Sequence, residues 1–280
     1  MNDASPPTVT DERVHAELGP SSSNIWLNCL QAPREWKRYP ARPSSYAAME
    51  GTLAHTLCEA ALLLHDIPWS AGQVFSVEGT DIPVTPEMLN AVQLYVNTTN
   101  LISDIALWRI IEKAVRFDWI WKHPPAVDLF GTADFAAADT KVLYCVDFKY
   151  GQGKAVKVEG NTQLLCYGVG AYGTLRQENP KLAAGIEEVS LTVVQPRAGG
   201  VPVRQWNISI GDLLFWAHAV LKPSIDKILS PQVFPFVPGN HCYFCPASVD
   251  CPAYSKQRLE HATFPDLTTD DMEALDKLLI

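Results

Sequence analysis

The sequence predicts an α/β or α+β domain in which helices flank a central mixed sheet. Strand-like segments form a nearly contiguous block in the middle of the chain, between residues 109 and 208, and helical segments precede and follow this block. The chain has 280 residues, of which 47% are hydrophobic, enough for one large core or for one core with a small annex. We therefore expect a single domain over residues 21–255.

The first part of the chain is predicted to be a tail followed by three helices. Residues 1–20 are polar and are expected to be disordered or loosely attached. The serines at positions 21–23 offer hydroxyls that can cap a first helix running towards Trp36. A second helix is predicted over residues 45–64, and a third begins at Thr85, which caps it and precedes a proline in the first turn.

The middle of the chain is predicted to contain the sheet. Residues 109–121 have an extended pattern, and residues 126–138 and 142–150 read as a hairpin around Asp139 and Thr140. The elements expected after this hairpin are a helix, two strands and a helix, over residues 161–177, 188–195, 203–208 and 212–229. A proline-rich loop at 241–252 follows them, and a tail over 256–280 ends in a short amphipathic helix at 269–280.

Composition limits the compartment and the partners. We find no secretory signal and no apolar run of transmembrane length, so we expect a cytoplasmic protein that does not associate with membranes. The net charge of −9 argues against a purely electrostatic DNA binder, although it leaves a nucleic-acid enzyme open because metal-binding carboxylates are themselves acidic. In a reducing compartment the seven cysteines favour metal binding over disulfides, with Cys58, Cys145 and Cys166 as buried core thiols.

Three cysteines near the C-terminus form an incomplete metal motif. Cys242, Cys245 and Cys251 have the spacing C-x2-C-x5-C. Three thiolates are one short of the four that an iron–sulfur cluster or a structural zinc usually takes. The motif therefore predicts a fourth ligand from elsewhere in the chain.

The predicted hairpin carries two acidic residues in mid-strand. With a turn at 139–140 we expect Asp134 to pair with Cys145, and Asp147 to be its diagonal neighbour, roughly 7–8 Å away between α-carbons. Lys149 shares their face, and alternate residues 142–148 form an opposite, apolar face. Two carboxylates so placed could share one divalent ion. The alternative is a half-exposed hairpin with solvated charges.

Two helical pairs could contribute to the same site. His55 and Glu59 lie at i and i+4 on the second helix, and Gln163 and Tyr167 have the same spacing on the helix after the hairpin. Each pair shares one helix face, and each could equally be an ordinary helix pair.

In combination these motifs resemble the RecB-like branch of the PD-(D/E)XK nuclease superfamily. The pattern contains four motifs in order: G-x-x-x-H on an upstream helix, G-x-x-D, D-x-K and Q-x-x-x-Y. The aspartate of D-x-K follows that of G-x-x-D by 13 residues (147 − 134), and the resemblance covers about residues 21–255. The resemblance implies a restriction-endonuclease-like core. It also implies a metal-dependent deoxyribonuclease, acting as an exonuclease in phage or bacterial DNA recombination, repair or replication.

The resemblance assigns metal ligands. It implies that Asp134 and Asp147 bind Mg²⁺ or Mn²⁺, with His55 as a further ligand, and oxygen ligands suit Mg²⁺. The carbonyl oxygen of Phe148 would contribute, and Glu59 would be a metal-linked carboxylate.

The resemblance also assigns roles to three other side chains. Lys149 would orient or polarise the attacking water and stabilise the charged transition state. Gln163 and Tyr167 would position DNA or the lysine.

The cysteines extend the resemblance. RecB-like nucleases with an iron–sulfur cluster, such as AddB and the CRISPR-associated exonucleases, carry one cysteine before the nuclease core and three after it. This implies that Cys29 joins Cys242, Cys245 and Cys251 around a [4Fe–4S] cluster that fastens the N- and C-terminal segments together. Structural Zn²⁺ is the alternative.

The implied partner is DNA, and the absence of a helicase motif implies that any motor is a separate helicase or recombination protein. Lys154 and Lys157 follow the D-x-K strand, with Tyr150 available for base stacking. A second basic stretch at 34–42 could meet phosphates or could be a solvated helix end. Two other functions remain open: a non-catalytic DNA-binding or scaffold protein with a nuclease fold, and a zinc-stapled binding module.

Overall fold

The computed structural model describes residues 7–9, 16–39 and 43–261, without the side chain of residue 261. The strands in chain order are β1 (Thr8–Val9), β2 (Val74–Val77), β3 (Thr80–Pro83), β4 (Trp108–Arg116), β5 (Phe130–Ala138), β6 (Val142–Phe148), β7 (Glu188–Val194) and β8 (Val203–Ser209). The α-helices are α1 (Ser23–Trp26), α2 (Ala32–Trp36), α3 (Tyr46–Leu64), α4 (Pro86–Ser103), α5 (Thr162–Glu178), α6 (Pro180–Ala183), α7 (Ile210–Trp216), α8 (Lys222–Leu229) and α9 (Pro252–His261).

The predicted class, a mixed sheet flanked by helices, is confirmed. The main sheet has the order β4-β5-β6-β7-β8, and all its neighbours are antiparallel except β6 and β7. Helices α5 and α6 connect that parallel pair, as such a connection requires a crossover. A smaller sheet, β1-β2-β3, is built partly from residues predicted to be a tail, because β1 pairs with β2. Among the described residues no helix is both long and apolar enough to cross a bilayer.

Both faces of the β5–β6 hairpin are buried, which corrects the expected division of the hairpin into one apolar and one charged face. Leu143 and Cys145 of β6 join the core cluster that contains α5 and α8, whereas Val146 and Phe148 join the cluster under α3 and α4. The charged side chains of β5 and β6 therefore lie at the end of a buried sheet and not on a solvated surface. This position makes their charges costly unless they are paired or bind a cation.

The expected first helix is broken in two. Helix α1 ends at Trp26, α2 begins at Ala32, and Cys29 lies in the connection. Pro33 fits the first turn of α2, where no N–H is needed, but it could not continue a helix from α1. The expected serine cap is wrong as well, since the Ser22 hydroxyl donates to the carbonyl of Gly19 instead.

The next two helices begin where the sequence predicts, and the predicted cap at Thr85 is confirmed. The hydroxyl of Ser45 accepts from the N–H of Ala48 at the start of α3, and that of Thr85 accepts from the N–H of Met88 at the start of α4. The helix predicted over 212–229 begins earlier and contains a π-helical turn, Ala217–Leu221, between α7 and α8. The helix predicted at 269–280 lies outside the described residues.

The hairpin register differs by two residues from the expected one. Ala138 pairs with Leu143, and Phe135 with Val146. The cause is the side chain of Asp139, which accepts from the N–H groups of Lys141 (2.7 Å) and Val142 (2.8 Å) and so stabilises a longer loop. When this register is continued by one residue, Asp134 lies directly opposite Asp147 and not diagonal to it.

Candidate functional site

One pocket of about 180 Å³ collects six of the residues singled out in the sequence. They come from four segments that are distant in the chain, namely α3, β5, the end of β6 and α5, and they are His55, Asp134, Asp147, Lys149, Gln163 and Tyr167. The remaining walls are the N-terminal segment and the start of β5, through Ala16, Gly19, Pro20, Ser21, Phe130, Gly131 and Thr132. The residues of the separate motifs thus share one cavity.

A possible metal site lies at one end of this pocket. His55, Glu112 and Asp134 each offer a ligand atom, and these atoms all lie within 4.8 Å of one another. The Nδ1 atom of His55 is 3.6 Å from Asp134 Oδ1 and 3.9 Å from Glu112 Oε1. This nitrogen is buried and has no hydrogen-bond partner among the described residues. An unsatisfied buried nitrogen between two carboxylates is costly, and a bound cation would remove that cost.

Glu112 was missed in the sequence, and its backbone is unusual. It lies in β4 with a φ of 43°, and the ladder between β4 and β5 skips the pair that it would form with Asp134. A left-handed conformation in mid-strand is strained for glutamate, and such strain is often retained where it positions a functional group. No local motif marks this residue, because its place depends on the pairing of two strands.

Glu59, expected as a metal-linked carboxylate, is not in this group and does not line the pocket. Cys58, one turn from His55 on α3, is buried. The pKa of this thiol is raised well above its usual value by burial and by the charges of Asp134 and Glu112. The structure therefore replaces Glu59 by Glu112 as the third member of the group.

Phe148 holds Asp134 in place through its backbone. The N–H of Phe148 donates to Asp134 Oδ2 at 2.7 Å, and the Phe148 ring meets the His55 ring edge-on with centroids 5.2 Å apart. These contacts orient two of the possible ligands. A ligand role for the carbonyl oxygen of Phe148 stays a prediction.

A chain of hydrogen bonds continues from Asp147 towards α5. Lys149 Nζ donates to Asp147 Oδ1 at 2.9 Å, and Gln163 Nε2 donates to the same oxygen at 3.3 Å. Gln163 Nε2 also contacts the hydroxyl of Tyr167 at 3.1 Å. The i, i+4 spacing of the α5 pair therefore serves to place an amide and a phenol beside the carboxylate.

Burial sets the protonation of the site. It raises the pKa of Asp134 and of Asp147; His55 opposes the rise at Asp134 and Lys149 opposes it at Asp147, but neither reverses it. Burial lowers the pKa of His55, but the carboxylates of Asp134 and Glu112 outweigh this effect and leave that pKa above its usual value. Without a cation these groups hold protons to higher pH than they would in water.

The wall made by the N-terminal segment depends on a close approach at Gly131. A Cβ there would lie 2.5 Å from Cδ and Cγ of Pro20. We expect Gly131→Ala to lower the free energy of unfolding by about 1–3 kcal/mol, measured by urea denaturation, because this wall must move. Gly51→Ala is the control: no atom lies within 4 Å of its Cβ, and it should stabilise α3 by about 0.5–1 kcal/mol. Equal stabilities for both variants would contradict the described position of Pro20.

The four cysteines assigned to a cluster line a second cavity. Cys29 lies between α1 and α2, Cys242 and Cys245 lie on a 3₁₀ turn (Asn240–Phe244) and just after it, and Cys251 immediately precedes α9. Burial raises the pKa of Cys245, and the other three cysteines raise it further, so the four thiols are close enough to interact.

Zinc and a cubane cluster place their thiolates at different distances from one another. Thiolates on a single tetrahedral zinc, with bonds of about 2.3 Å, lie about 3.8 Å from one another. The cysteine sulfurs do not form a set within 4.8 Å of one another, as the ligand atoms around His55 do. A cubane cluster has wider spacing because each thiolate binds a different iron. The other cysteines, Cys58, Cys145 and Cys166, are buried in the core as predicted.

The expectation that Tyr150 stacks on bases is wrong, and two residues of the second basic stretch have partners within the protein. The Tyr150 ring is only 3% exposed, and it packs between Phe148 and the guanidinium of Arg197, so it is not available for base stacking. In the second basic stretch, Arg34 donates to carbonyls at the end of α8 and just beyond it, and Lys37 pairs with Glu17 at 2.8 Å. These two residues fasten the protein's own segments together.

Comparisons with known proteins give a family and, among solved structures, weak likenesses such as the following one. A family model described as "Protein of unknown function (DUF2800)" matches residues 15–279. A solved structure described as "Crystal structure of SSO0001" is similar over 83% of this chain and 97% of that chain, with 11% identity and a TM-score of 0.31. A likeness at that TM-score carries no argument about fold or function.

Proposed function

We propose that this chain, which belongs to the DUF2800 family of proteins of unknown function, is a divalent-metal-dependent DNA nuclease with a PD-(D/E)XK core. One observation carries the proposal: side chains from α3, β5, β6 and α5 converge on one pocket and bring carboxylates, an imidazole, an amine, an amide and a phenol together. The packing of a buried sheet does not by itself require these charged and polar side chains to lie together. It suits phosphodiester hydrolysis, which needs charge stabilisation and oriented proton donors.

The residues present fit a hard divalent cation. His55, Glu112 and Asp134 would hold Mg²⁺ or Mn²⁺, with Asp147 across the hairpin as a further ligand. The fit rests on the partnerless Nδ1 of His55 between two carboxylates. When bound, the cation supplies Lewis-acid stabilisation of the scissile phosphate and lowers the pKa of water.

The remaining side chains suit the handling of the phosphate. The Lys149 ammonium, 29% exposed at the pocket, would stabilise negative charge as it develops on the phosphate oxygens. Gln163 shares Asp147 with this lysine and would keep that carboxylate oriented. Burial and the Asp147 charge raise the pKa of Tyr167 well above its usual value, so its phenol is a neutral donor at the pH of the cell.

The second cofactor in the proposal is a [4Fe–4S] cluster. Cys29, Cys242, Cys245 and Cys251 would hold it, and the cavity that they line is apolar apart from a few side chains. Its role would be structural, because it would tie the segment between α1 and α2 to the segment before α9. The arrangement of one cysteine before the core and three after it, together with the family resemblance, favours iron–sulfur over a single zinc.

Digestion of end-labelled DNA tests the activity. Single-stranded, double-stranded and circular substrates, each with Mg²⁺ or Mn²⁺, separate exonuclease from endonuclease action. We expect metal-dependent loss of linear DNA, with circles resistant if a free end is needed. Tight DNA binding without cleavage of any substrate would instead indicate a non-catalytic DNA-binding protein.

Metal binding at this site should depend on pH. His55, Asp134 and Asp147 all have raised pKa values, so a cation must displace protons that these groups hold. We expect the rise in melting temperature caused by a fixed Mn²⁺ concentration to be larger at pH 8 than at pH 6. For one displaced proton, affinity falls about tenfold per pH unit below the pKa.

In the metal-free protein, stability should change with pH in the opposite direction, and this provides an internal control. Groups with raised pKa values stabilise the folded state at low pH, and this contribution is lost as the pH rises through those values. Two variants test the residues involved. Glu112→Gln should reduce the Mn²⁺-dependent rise in melting temperature, and the control Glu59→Gln should leave that rise unchanged. A metal effect that is independent of pH and of Glu112 would refute this site.

A further inference from the structure

The loop over residues 151–157 connects two walls of the candidate pocket. It begins two residues after Lys149 and leads to Asn161, which caps α5 by accepting from the N–H of Gln163 at 3.0 Å. Asn161 Nδ2 also donates to the carbonyl of Lys157 at 3.0 Å. Both ends of the loop are therefore fixed beside side chains that line the pocket.

Buried Gln195 and half-buried Arg204 fix the middle of this loop. Gln195 is only 3% exposed, and its Oε1 accepts from the N–H of Val156 at 2.8 Å and from Arg204 Nη2 at 2.6 Å. Its Nε2 donates to the carbonyls of Gly151 and Lys154, both at 3.4 Å. Arg204 Nε adds a bond to the Val156 carbonyl at 3.2 Å. The loop backbone is thus held through a side chain buried at the end of β7.

The loop exposes basic side chains to solvent. Residues 151–155 are exposed, as are the side chains of Lys154 and Lys157. Neither lysine forms an ion pair within the described part of the chain. The protein as a whole has a net charge of −9. The two exposed lysines lie on a loop that follows Lys149, a residue of the pocket, so this part of the surface is locally basic. Loops are ordinarily mobile, and burying a glutamine side chain to order one is costly unless the order serves a purpose.

We propose that the 151–157 loop is a preformed contact for the phosphate backbone of the DNA strand that enters the candidate pocket. Lys154 and Lys157 bind phosphates next to the one at Lys149, and Gln195 with Arg204 are positioning residues that hold the loop in register. The inference rests on the proposed nuclease function and specifies how that site holds its substrate. Holding the loop in advance reduces the ordering cost on binding.

The test compares lysine pairs of equal charge. DNA affinity is measured over a range of salt concentrations with Ca²⁺ in place of Mg²⁺, a substitution intended to suppress cleavage. The Lys154→Ala/Lys157→Ala protein should bind at least about tenfold more weakly at moderate salt, and the slope of log K against log[salt] should fall by about 1.4–1.8. The control is Lys141→Ala/Lys181→Ala, which removes one exposed lysine just before β6 and one in α6. It should keep the wild-type slope.

Gln195→Met tests the positioning role. We expect KM to rise about tenfold with kcat within a few-fold of wild type, because chemistry at Lys149 is intact while the loop is not held. Adding Gln195→Met to the double lysine variant should cost little more, since both changes remove the same contacts. Purely additive effects would show that Gln195 acts only on stability.

The outcomes separate the two proposals. If the wild-type protein cleaves DNA and the lysine pair changes neither affinity nor slope, the loop inference is wrong and the nuclease function stands. The same holds if the control pair has an equal effect. If the wild-type protein neither binds nor cleaves DNA, both proposals fail.

Discussion

Replacement of Lys149 by alanine should lower the rate of DNA cleavage by at least about 10²–10³-fold, because a preorganised cation aimed at developing charge contributes that much. Asp147→Ala should be at least as severe, since Asp147 would bind the metal and also contacts Lys149 at 2.9 Å. Single-turnover cleavage with Mg²⁺ and Mn²⁺ measures both effects. The lysine is at the pocket surface and partly exposed, so its loss should leave the fold intact.

A control variant and a check of folding accompany this prediction. Lys141→Ala removes an exposed lysine from the opposite end of β6, where it pairs only with Glu187, and it should cleave DNA at the wild-type rate. Melting temperatures and circular dichroism of all three variants establish that the fold is retained. Full activity in both the Lys149 and the Asp147 variants would remove the basis for the nuclease assignment.

Local spacing and the family resemblance together predict most of the residues that line the candidate pocket. His55, Asp147 and Lys149 were identified from short motifs, and so were the α5 pair Gln163 and Tyr167. Spacing of two along a strand and of four along a helix places side chains on one face whatever the rest of the chain does. The convergence of these faces on one pocket is the part that only the structure supplies.

The parts that were missed depend on contacts between distant segments. Glu112 enters the site because β4 and β5 distort at its pair with Asp134, and nothing in the sequence around it signals a left-handed residue. The hairpin register was wrong because side-chain bonds from Asp139 lengthened the loop. Pro20 forms a wall of the pocket only because Gly131 lacks a side chain there.

The same distinction applies to the cysteines. The spacing of Cys242, Cys245 and Cys251 predicted a site with one ligand missing, and the choice of Cys29 came from a family resemblance. In the structure Cys29 and Cys245 belong to one small apolar cluster, although 216 residues separate them (245 − 29). That packing is an observation independent of the resemblance, and it makes Cys29 a specific and testable fourth ligand.

Cys29→Ala should therefore lose the cluster as completely as Cys245→Ala. We expect iron content and visible absorbance after anaerobic purification to fall to background in both variants, because three thiolates do not complete the usual set of four. Cys166→Ala is the matched control: this buried cysteine lies in α5, outside the cluster cavity, and it should keep wild-type iron. A colourless wild-type protein with one equivalent of zinc would mean that the cavity holds zinc.

The stability of the same variants tests whether the cysteines join the two ends of the domain. A cross-link between Cys29 and Cys242 closes a loop of 213 residues (242 − 29), and restricting the unfolded chain in this way is worth about 3–5 kcal/mol. For a protein of this size we expect the melting temperature to fall by about 10 °C in both variants. A Cys29→Ala protein that retains a full cluster would show that Cys29 is not a ligand and that the N-terminal segment is held by packing alone. The proposal of a nuclease site would survive that result, because the residues of the candidate pocket lie outside the cavity lined by the cysteines.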